Sequence, residues 1–506
     1  MATYVFETIT AAQALAITTA DNVIVQTGTA NAVSVSYIPA TPTSADLISI
    51  TIGARTVTFG TAIATVAQNG NIVMPDGTLL YIGYTAGDSF TLGASGDAGF
   101  GGLGADTLNG GNGANVLQGN QGADSLVGGT GNDTVYGGQD NDTITLGGGS
   151  NFGQGNRGLD TITGGGGTDF LNGNLGDDNI TGGTGADQIF GEDGFDTLVG
   201  GGGADVLNGG AGFDSIVSAT DAATIWGGLD DDTIVLGAGG FANGQGGADT
   251  ITGSANVTGG DLILGGLNND SITGGGGTDT LNGNEGADTV VGGAGNDTIF
   301  GEDGADSLDG AGGADTISGG DGDDLIELGP ATTSGTANIG DGGLGADTIN
   351  GGNNSDSITG GDDADFLQGW GGTDTIFGGA GDDTIDSGTG KDVLTGGAGS
   401  DRFQFQLSSS GSTAGAFDLI MDWEVVDRLS FPGTASLAYT ESTAADFASA
   451  VTFANAQIAG GVAVAAVQVG ADVVVFADTG GNGGTYEDAV VLVGRTLNDI
   501  SATNYP

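Results

Sequence analysis

From about residue 101 to about residue 402 a nine-residue unit recurs, Gly-Gly-x-Gly-x-Asp with an aliphatic two places after the Asp. GGTGNDTVY from Gly128 and GGAGNDTIF from Gly292 are complete examples. The aspartates in phase are Asp106, Asp124, Asp133, Asp142, Asp160, Asp169, Asp178, Asp187, Asp196, Asp205, Asp214, Asp232 and Asp249. They continue as Asp270, Asp279, Asp288, Asp297, Asp306, Asp315, Asp324, Asp347, Asp356, Asp365, Asp374, Asp383, Asp392 and Asp401. The aliphatic place is held by Leu108, Leu126, Val135, Ile144, Ile162, Leu171, Ile180, Ile189 and their successors. A fixed short period means that one supersecondary unit is stacked many times, so the region must be read as a single repeat architecture. A disordered glycine-rich linker would not hold an aliphatic at one phase.

The unit resembles the nonapeptide GGxGxDxUx of the repeats-in-toxin (RTX) family, where U is a large aliphatic. That resemblance implies an all-β chain whose centre is a right-handed parallel β-roll, an RTX solenoid with two nonapeptides per turn. The tripeptide around U would be a short strand, and the glycine-rich hexapeptide a turn that holds Ca²⁺. The residue types agree physically. Glycines permit positive φ and close approach of neighbouring turns. Asp carboxylates and backbone carbonyls are the hard oxygen ligands Ca²⁺ prefers, six to eight per ion. Adjacent turns would lie ~4.8 Å apart, so Asp169 with Asp187, and Asp288 with Asp306, would each hold an ion between them. All the aspartates named above are therefore expected metal ligands. Asn115 and Asn151 fall at the Asp phase as weaker sites, and Ala223 at a missing one.

Charge makes folding conditional. Six Lys and Arg stand against 64 Asp and Glu, a formal net charge of -58. Nucleic acid and anionic membrane are not expected partners of such a chain. With one ion per gap between turns, on the order of 20 Ca²⁺ would cancel about 40 negative charges, so binding energy becomes folding energy. There is no Cys and no His, which removes His/Cys zinc sites and Ser-His-Asp machinery. No apolar run approaches the length of a membrane span. The first residues, MATYVFETIT, lack a basic segment followed by an apolar run, so a cleavable leader is not expected. The resemblance implies export through a type I secretion apparatus that reads an uncleaved C-terminal signal, with calcium outside the cell setting the fold.

Three regions are expected: an N-terminal β domain over 1–97, the roll over 98–402, and a C-terminal β cap over 403–506. The first reads as a small antiparallel domain, with alternating stretches such as Val33-Ser-Val-Ser-Tyr and Leu47-Ile-Ser-Ile-Thr-Ile. Turns are expected at Gln68-Asn-Gly-Asn and Pro75-Asp-Gly. It would cap the roll, bind a neighbour or the cell surface, or do both, and Arg55 reads as a solvated strand residue. Phase breaks imply loop insertions near 237–248, 253–266 and 328–342, with Phe241 and Pro330 available for lateral contacts. Trp226 should project outward over the break at Ala223. Residues 165–214 match 275–324 at an offset of about 110 residues, which reads either as a tandem duplication alone or as a regular array of equivalent outward surfaces that meet copies of the same protein. Beyond Asp401, Phe417-Asp-Leu-Ile-Met-Asp-Trp-Glu-Val-Val-Asp-Arg-Leu-Ser-Phe is similar to the family's post-repeat element, with Val426 where a Gly is usual. Three alternating stretches follow, beginning at Val462, Asp472 and Ala489, and the final VVLVGRTLNDISATNYP resembles an RTX export signal.

No catalytic module is expected, because no HExxH helix or GxSxG elbow occurs. Paired acids could run glycoside hydrolysis, but here calcium would consume them. The expected function is a secreted, self-associating structural protein of a surface layer, filament or extracellular matrix. The alternatives are an adhesin binding cell-surface polysaccharide and a carbohydrate-active enzyme with an unrecognised site.

Overall fold

The computed structural model describes residues 2–38, 45–68, 72–84, 86–255, 258–329, 337–406, 416–431, 438–478, 486 and 488–505. It divides into two compact units, Met1–Gly246 and Gly247–Pro506.

The first unit opens with a mixed domain rather than a purely antiparallel one. Val33–Ile38, Leu47–Ile52 and Arg55–Gly60 form the expected antiparallel sheet. Thr3–Val5, Asn22–Ile24 and Ile72–Val73 pair in parallel. Two helices join them: α1 (Ala11–Leu15), started by a Thr10–Gln13 capping box, and α2 (Ala62–Gln68), which buries Ile63, Ala64, Val66 and Ala67. Strand alternation gave no sign of either helix, since α1 is only five residues long and draws its start from the cap. Arg55 is not merely solvated: its Nε donates to the Phe6 carbonyl at 2.9 Å and its guanidinium also reaches the Ile9 carbonyl. Pro75-Asp-Gly does turn, with Gly77 at φ +82°, but it leads from one parallel pairing to another. Residues 69–71 of the other expected turn lie outside the described residues.

Pairing of the roll begins earlier than 98. Leu80–Ile82 lies parallel to Ala98–Leu103, and Ser89–Thr91 parallel to Thr107–Asn109. Two parallel ladders then climb side by side with an eighteen-residue register, such as Leu108↔Leu126, Leu126↔Ile144 and Ile144↔Ile162 in one, and Leu171↔Ile189 and Ile189↔Leu207 in the other. Two nonapeptides therefore make one turn, and the middle aliphatic of each points inward. Leu108, Leu126, Ile144, Ile162, Leu171, Ile180 and Ile189 are all fully buried.

Where the aliphatic is missing, a neighbour fills the space. Gly153 and Gly340 take core places; a Cβ on Gly153 would lie 2.8 Å from Leu146 Cδ1, and one on Gly340 2.9 Å from Leu328 Cδ2. Leu146 and Leu328 stand where the unit normally has its first glycine, and both are fully buried. Leu236, at the same place in its unit, and the small core residue Ala242 are likewise buried.

The expected insertions are shorter than their phase breaks suggested. Phe241–Gly246 is a strand, paired Thr224↔Phe241, one residue short of the usual register. In the second unit Thr250↔Ser271 shows three extra residues and Thr316↔Ile339 five; Pro330 lies outside the described residues. Trp226 is half-buried and meets Phe241 edge-on, centroids 6.2 Å apart.

The second unit continues the same two-ladder pattern to Arg402–Gln404 and then through the post-repeat element, Arg402–Gln404 pairing with Arg428–Ser430. Its cap has the three expected strands, Val464–Val469, Asp472–Ala477 and Asp488–Leu492, in antiparallel order. It also has α3 (Phe447–Ile458), N-capped by Asp446 and packed through Ala450, Ala454 and Ile458. The chain end docks rather than trailing: Asn504 Nδ2 donates to the Asp427 carbonyl at 2.8 Å, and Trp423 Nε1 to the Asp499 carbonyl at 2.9 Å.

Candidate metal centre

The in-phase aspartates stand in two columns along the turns of each unit. In the first unit the Oδ1 atoms of Asp106, Asp124, Asp142, Asp160, Asp178, Asp196, Asp214 and Asp232 each accept the backbone N–H of the residue eighteen places earlier, at 2.6–2.8 Å. Asp133, Asp169, Asp187 and Asp205 do the same in the second column. In the second unit Asp249 donates its N–H to Asp270, and Asp279, Asp288, Asp297, Asp306, Asp315 and Asp324 extend the columns. Asp347, Asp356, Asp365, Asp374, Asp383, Asp392 and Asp401 complete them. The Asp169–Asp187 and Asp288–Asp306 pairs are therefore joined directly, N–H to carboxylate, at 2.8 and 2.7 Å.

The other carboxylate oxygen is the anomaly. At Asp106, Asp124, Asp142, Asp169, Asp187, Asp297, Asp374 and most of their equivalents, Oδ2 is buried and has no hydrogen-bond partner. Leaving a buried acceptor unmade costs about 1–3 kcal/mol, so this many in one protein needs a physical reason. Except at Asp392, which Ser387 precedes, the glycine five places earlier faces the orphaned Oδ2. A Cβ on Gly182 would sit 2.5 Å from Asp187 Oδ2 and 2.5 Å from the Gly200 carbonyl oxygen of the next turn. Oxygen acceptors converge there with no donor between them, and only glycine leaves the room.

Asn115 is the internal control. Its Oδ1 makes the same ladder bond, to the Asp97 N–H at 3.0 Å, but its Nδ2 donates to the Gly113 carbonyl at 3.1 Å. Asn151 repeats this more loosely, to Gly149 at 3.5 Å. Where a side chain brings its own donor the carbonyl is satisfied; where it is Asp, a positive group is wanted. Ala223 has no acceptor to offer the Asp205 N–H.

Burial pushes the carboxyls up, in spite of the backbone N–H bonds that oppose it: Asp124 and Asp178 to about 7, Asp142 and Asp374 to about 8. Among the described residues no three acidic side chains converge on one point, so carbonyl oxygens must complete any metal shell.

Counting backwards by nines would have found further ladder members. Asp88 and Asp97 precede Asp106, Asp261 precedes Asp270, and Asn338 precedes Asp347; all four sit in the columns. Asp418 and Asp427 of the post-repeat element take the last rungs. The glycines that advertise a repeat are missing around them. Several are closed differently: Asp97 Oδ2 accepts the Gly93 N–H at 2.7 Å, Asp261 Oδ2 the Ser254 N–H at 2.7 Å, and Asp427 Oδ2 the Glu424 N–H at 2.6 Å. At these block ends the backbone supplies the donor that interior rungs lack.

The description "RTX calcium-binding nonapeptide repeat" belongs to the family model that matches residues 93–126, 100–134, 118–153, 145–180, 181–216 and 224–240. It matches again at 257–290, 282–317, 291–326, 333–367, 341–376 and 369–403, so that more than half of the chain is covered. The chain belongs to this family. Among solved structures it is similar to the AlgE6R3 subunit of the Azotobacter vinelandii mannuronan C5-epimerase, at 27% identity, covering 30% of this chain and 78% of that one with a TM-score of 0.23. No curated protein matches it. This is thus a calcium-binding RTX repeat protein with a parallel β-roll, and the orphaned Oδ2 atoms fit the ion that its family binds.

Proposed function

We propose that the chain is a secreted structural protein whose roll is set by calcium outside the cell and which then associates with its own copies. The observation that carries this reading is the run of buried Asp Oδ2 atoms with carbonyl oxygens beside them and no donor. Bound calcium would supply the positive charge those oxygens lack, held by the in-phase Asp carboxylates and the glycine carbonyls of neighbouring turns. With 64 acidic and six basic residues, the metal-free columns repel one another, and low calcium favours the open chain. Export through a type I apparatus before folding follows from that logic, the C-terminal residues serving first as signal and then as the docked end of the cap.

Self-association draws support from the surface. Phe195 and Phe213 stack at 5.3 Å and are 55% and 52% exposed, and Leu229 is 62% exposed. Apolar groups left on turns of a rigid scaffold mark contact surfaces. Sedimentation velocity with calcium and with chelator tests the proposal. A compact species that grows into ordered assemblies only with calcium is expected; a chain equally compact under chelation, or monomeric at all concentrations in calcium, defeats the respective half.

A further inference from the structure

The first unit has a polar cavity of about 390 Å³ on the outward face of the roll, closed on one side by Tyr37 of the N-terminal domain. Tyr37 is fixed there by its hydroxyl, which donates to the Gly83 carbonyl at 3.1 Å. Opposite stand Tyr136 and the carboxamides Gln118, Asn120 and Asn156. The rim is a cross-strand row in register, Gln121↔Gln139↔Arg157. The chain has six basic residues in all, and among the described residues no hydrogen bond or ion pair engages the guanidinium of Arg157. The nearby Asp140 directs its carboxylate to the Gly122 N–H at 3.1 Å. The same row runs on through Leu175 to Asp193 in the first unit and carries Glu285↔Asp303↔Asp321 in the second, so the stretch from Gln121 to Arg157 is a neutral-to-basic window in a strongly acidic molecule.

An aromatic track leaves the cavity along the roll. Tyr136, Phe152, Phe170 and Phe190 are half-buried, with successive centroids 5.5, 5.4 and 5.2 Å apart. Beside it Asn172 Oδ1 and Asn174 Nδ2 have no hydrogen-bond partner although they are buried. Phe152 and Phe170 stack on one another, so the strip presents apolar ring edges; flanked by carboxamides that both donate and accept, it suits the apolar faces of sugar rings and their hydroxyls. A free guanidinium at the rim recognises a planar carboxylate in bidentate fashion.

We infer that this cavity and track bind a saccharide chain bearing carboxylates, with one uronate on Arg157 and neighbouring sugar rings on Tyr136 and the phenylalanines. The site is separate from the calcium columns, so its failure would leave the calcium-set fold standing. The test is calorimetric titration of the calcium-loaded full chain with a β-1,4-linked glucuronate hexamer and with cellohexaose, its uncharged counterpart. The glucuronate hexamer should bind at least about tenfold more tightly. Arg157→Gln should remove that preference, Tyr136→Ala should weaken both hexamers, and Asn282→Ala in the second unit should change neither. Calcium content and circular dichroism of each variant verify the fold. Binding of neither hexamer, a preference that survives Arg157→Gln, or affinities indifferent to Tyr136→Ala would each overturn the inference.

Discussion

Replacing Asp169, Asp187 and Asp205 together by Asn tests the reading of the metal columns most directly. These three are consecutive rungs: Asp187 Oδ1 accepts from Asp169 at 2.8 Å and Asp205 Oδ1 from Asp187 at 2.9 Å. A carboxamide keeps that acceptor and turns the orphaned Oδ2 into a donor. Gly167, Gly185 and Gly203 stand two places before the three sites, as Gly113 does before Asn115. The new Nδ2 groups should therefore donate to those carbonyls as Asn115 does at 3.1 Å. Each unpartnered buried acceptor costs about 1–3 kcal/mol. Removing three should stabilise the chelated protein by about 3 kcal/mol or more, with coupling between neighbouring rungs holding it below simple addition. The calcium-loaded protein should lose about three ions and become less stable than the parent. Metal analysis after gel filtration and denaturant melts with and without chelator read out both effects. An unchanged ion count, or a chelated variant less stable than the chelated parent, would refute the reasoning.

Other predictions follow from the same geometry. Burial raises the column carboxyls from the ordinary 3.8, Asp124 to about 7 and Asp142 and Asp374 to about 8, so the folded state holds protons the unfolded chain releases. In chelator, stability should be complete below about pH 4 and should fall as pH rises through about 6 to 8, which circular dichroism across that range would register. Ala223→Asp restores an acceptor opposite the Asp205 N–H and should add one bound calcium, measurable by the same metal analysis. Leu146→Gly should cost about 2–5 kcal/mol and Gly153→Leu about 1–3 kcal/mol by overpacking. The double variant, which moves the side chain back to the usual core place, should recover most of both losses in denaturant melts.

The repeat could be read from the chain because each nonapeptide states its own role: the aliphatic at one phase is buried, and the Asp at another joins a column. The same local reading failed where the glycines thin out. Asp88, Asp97 and Asp261 keep the nine-residue phase without the glycine signature, and Phe241–Gly246 makes a regular strand from sequence that looks like a loop. The helices α1, α2 and α3 escaped because they are short or alanine-rich, held by caps and by the sheets they cover.

Sequence alone determined the nine-residue period and the phase of the aliphatics and aspartates, because these depend on residues nine places apart. Two units per turn and a bound calcium were what the resemblance to the RTX nonapeptide implied, and the eighteen-residue register is where the structure shows the former. Tertiary structure decided the rest. Which rungs keep an orphaned oxygen and which are closed by a backbone N–H depends on the conformation each turn adopts in the folded chain, since the N–H groups of Gly93, Ser254 and Glu424 lie only a few residues before the aspartates they close. That Leu146 fills the place left by Gly153, and that Tyr37 closes a cavity against strands far along the chain, depends on side chains whose separation in sequence carries no pattern.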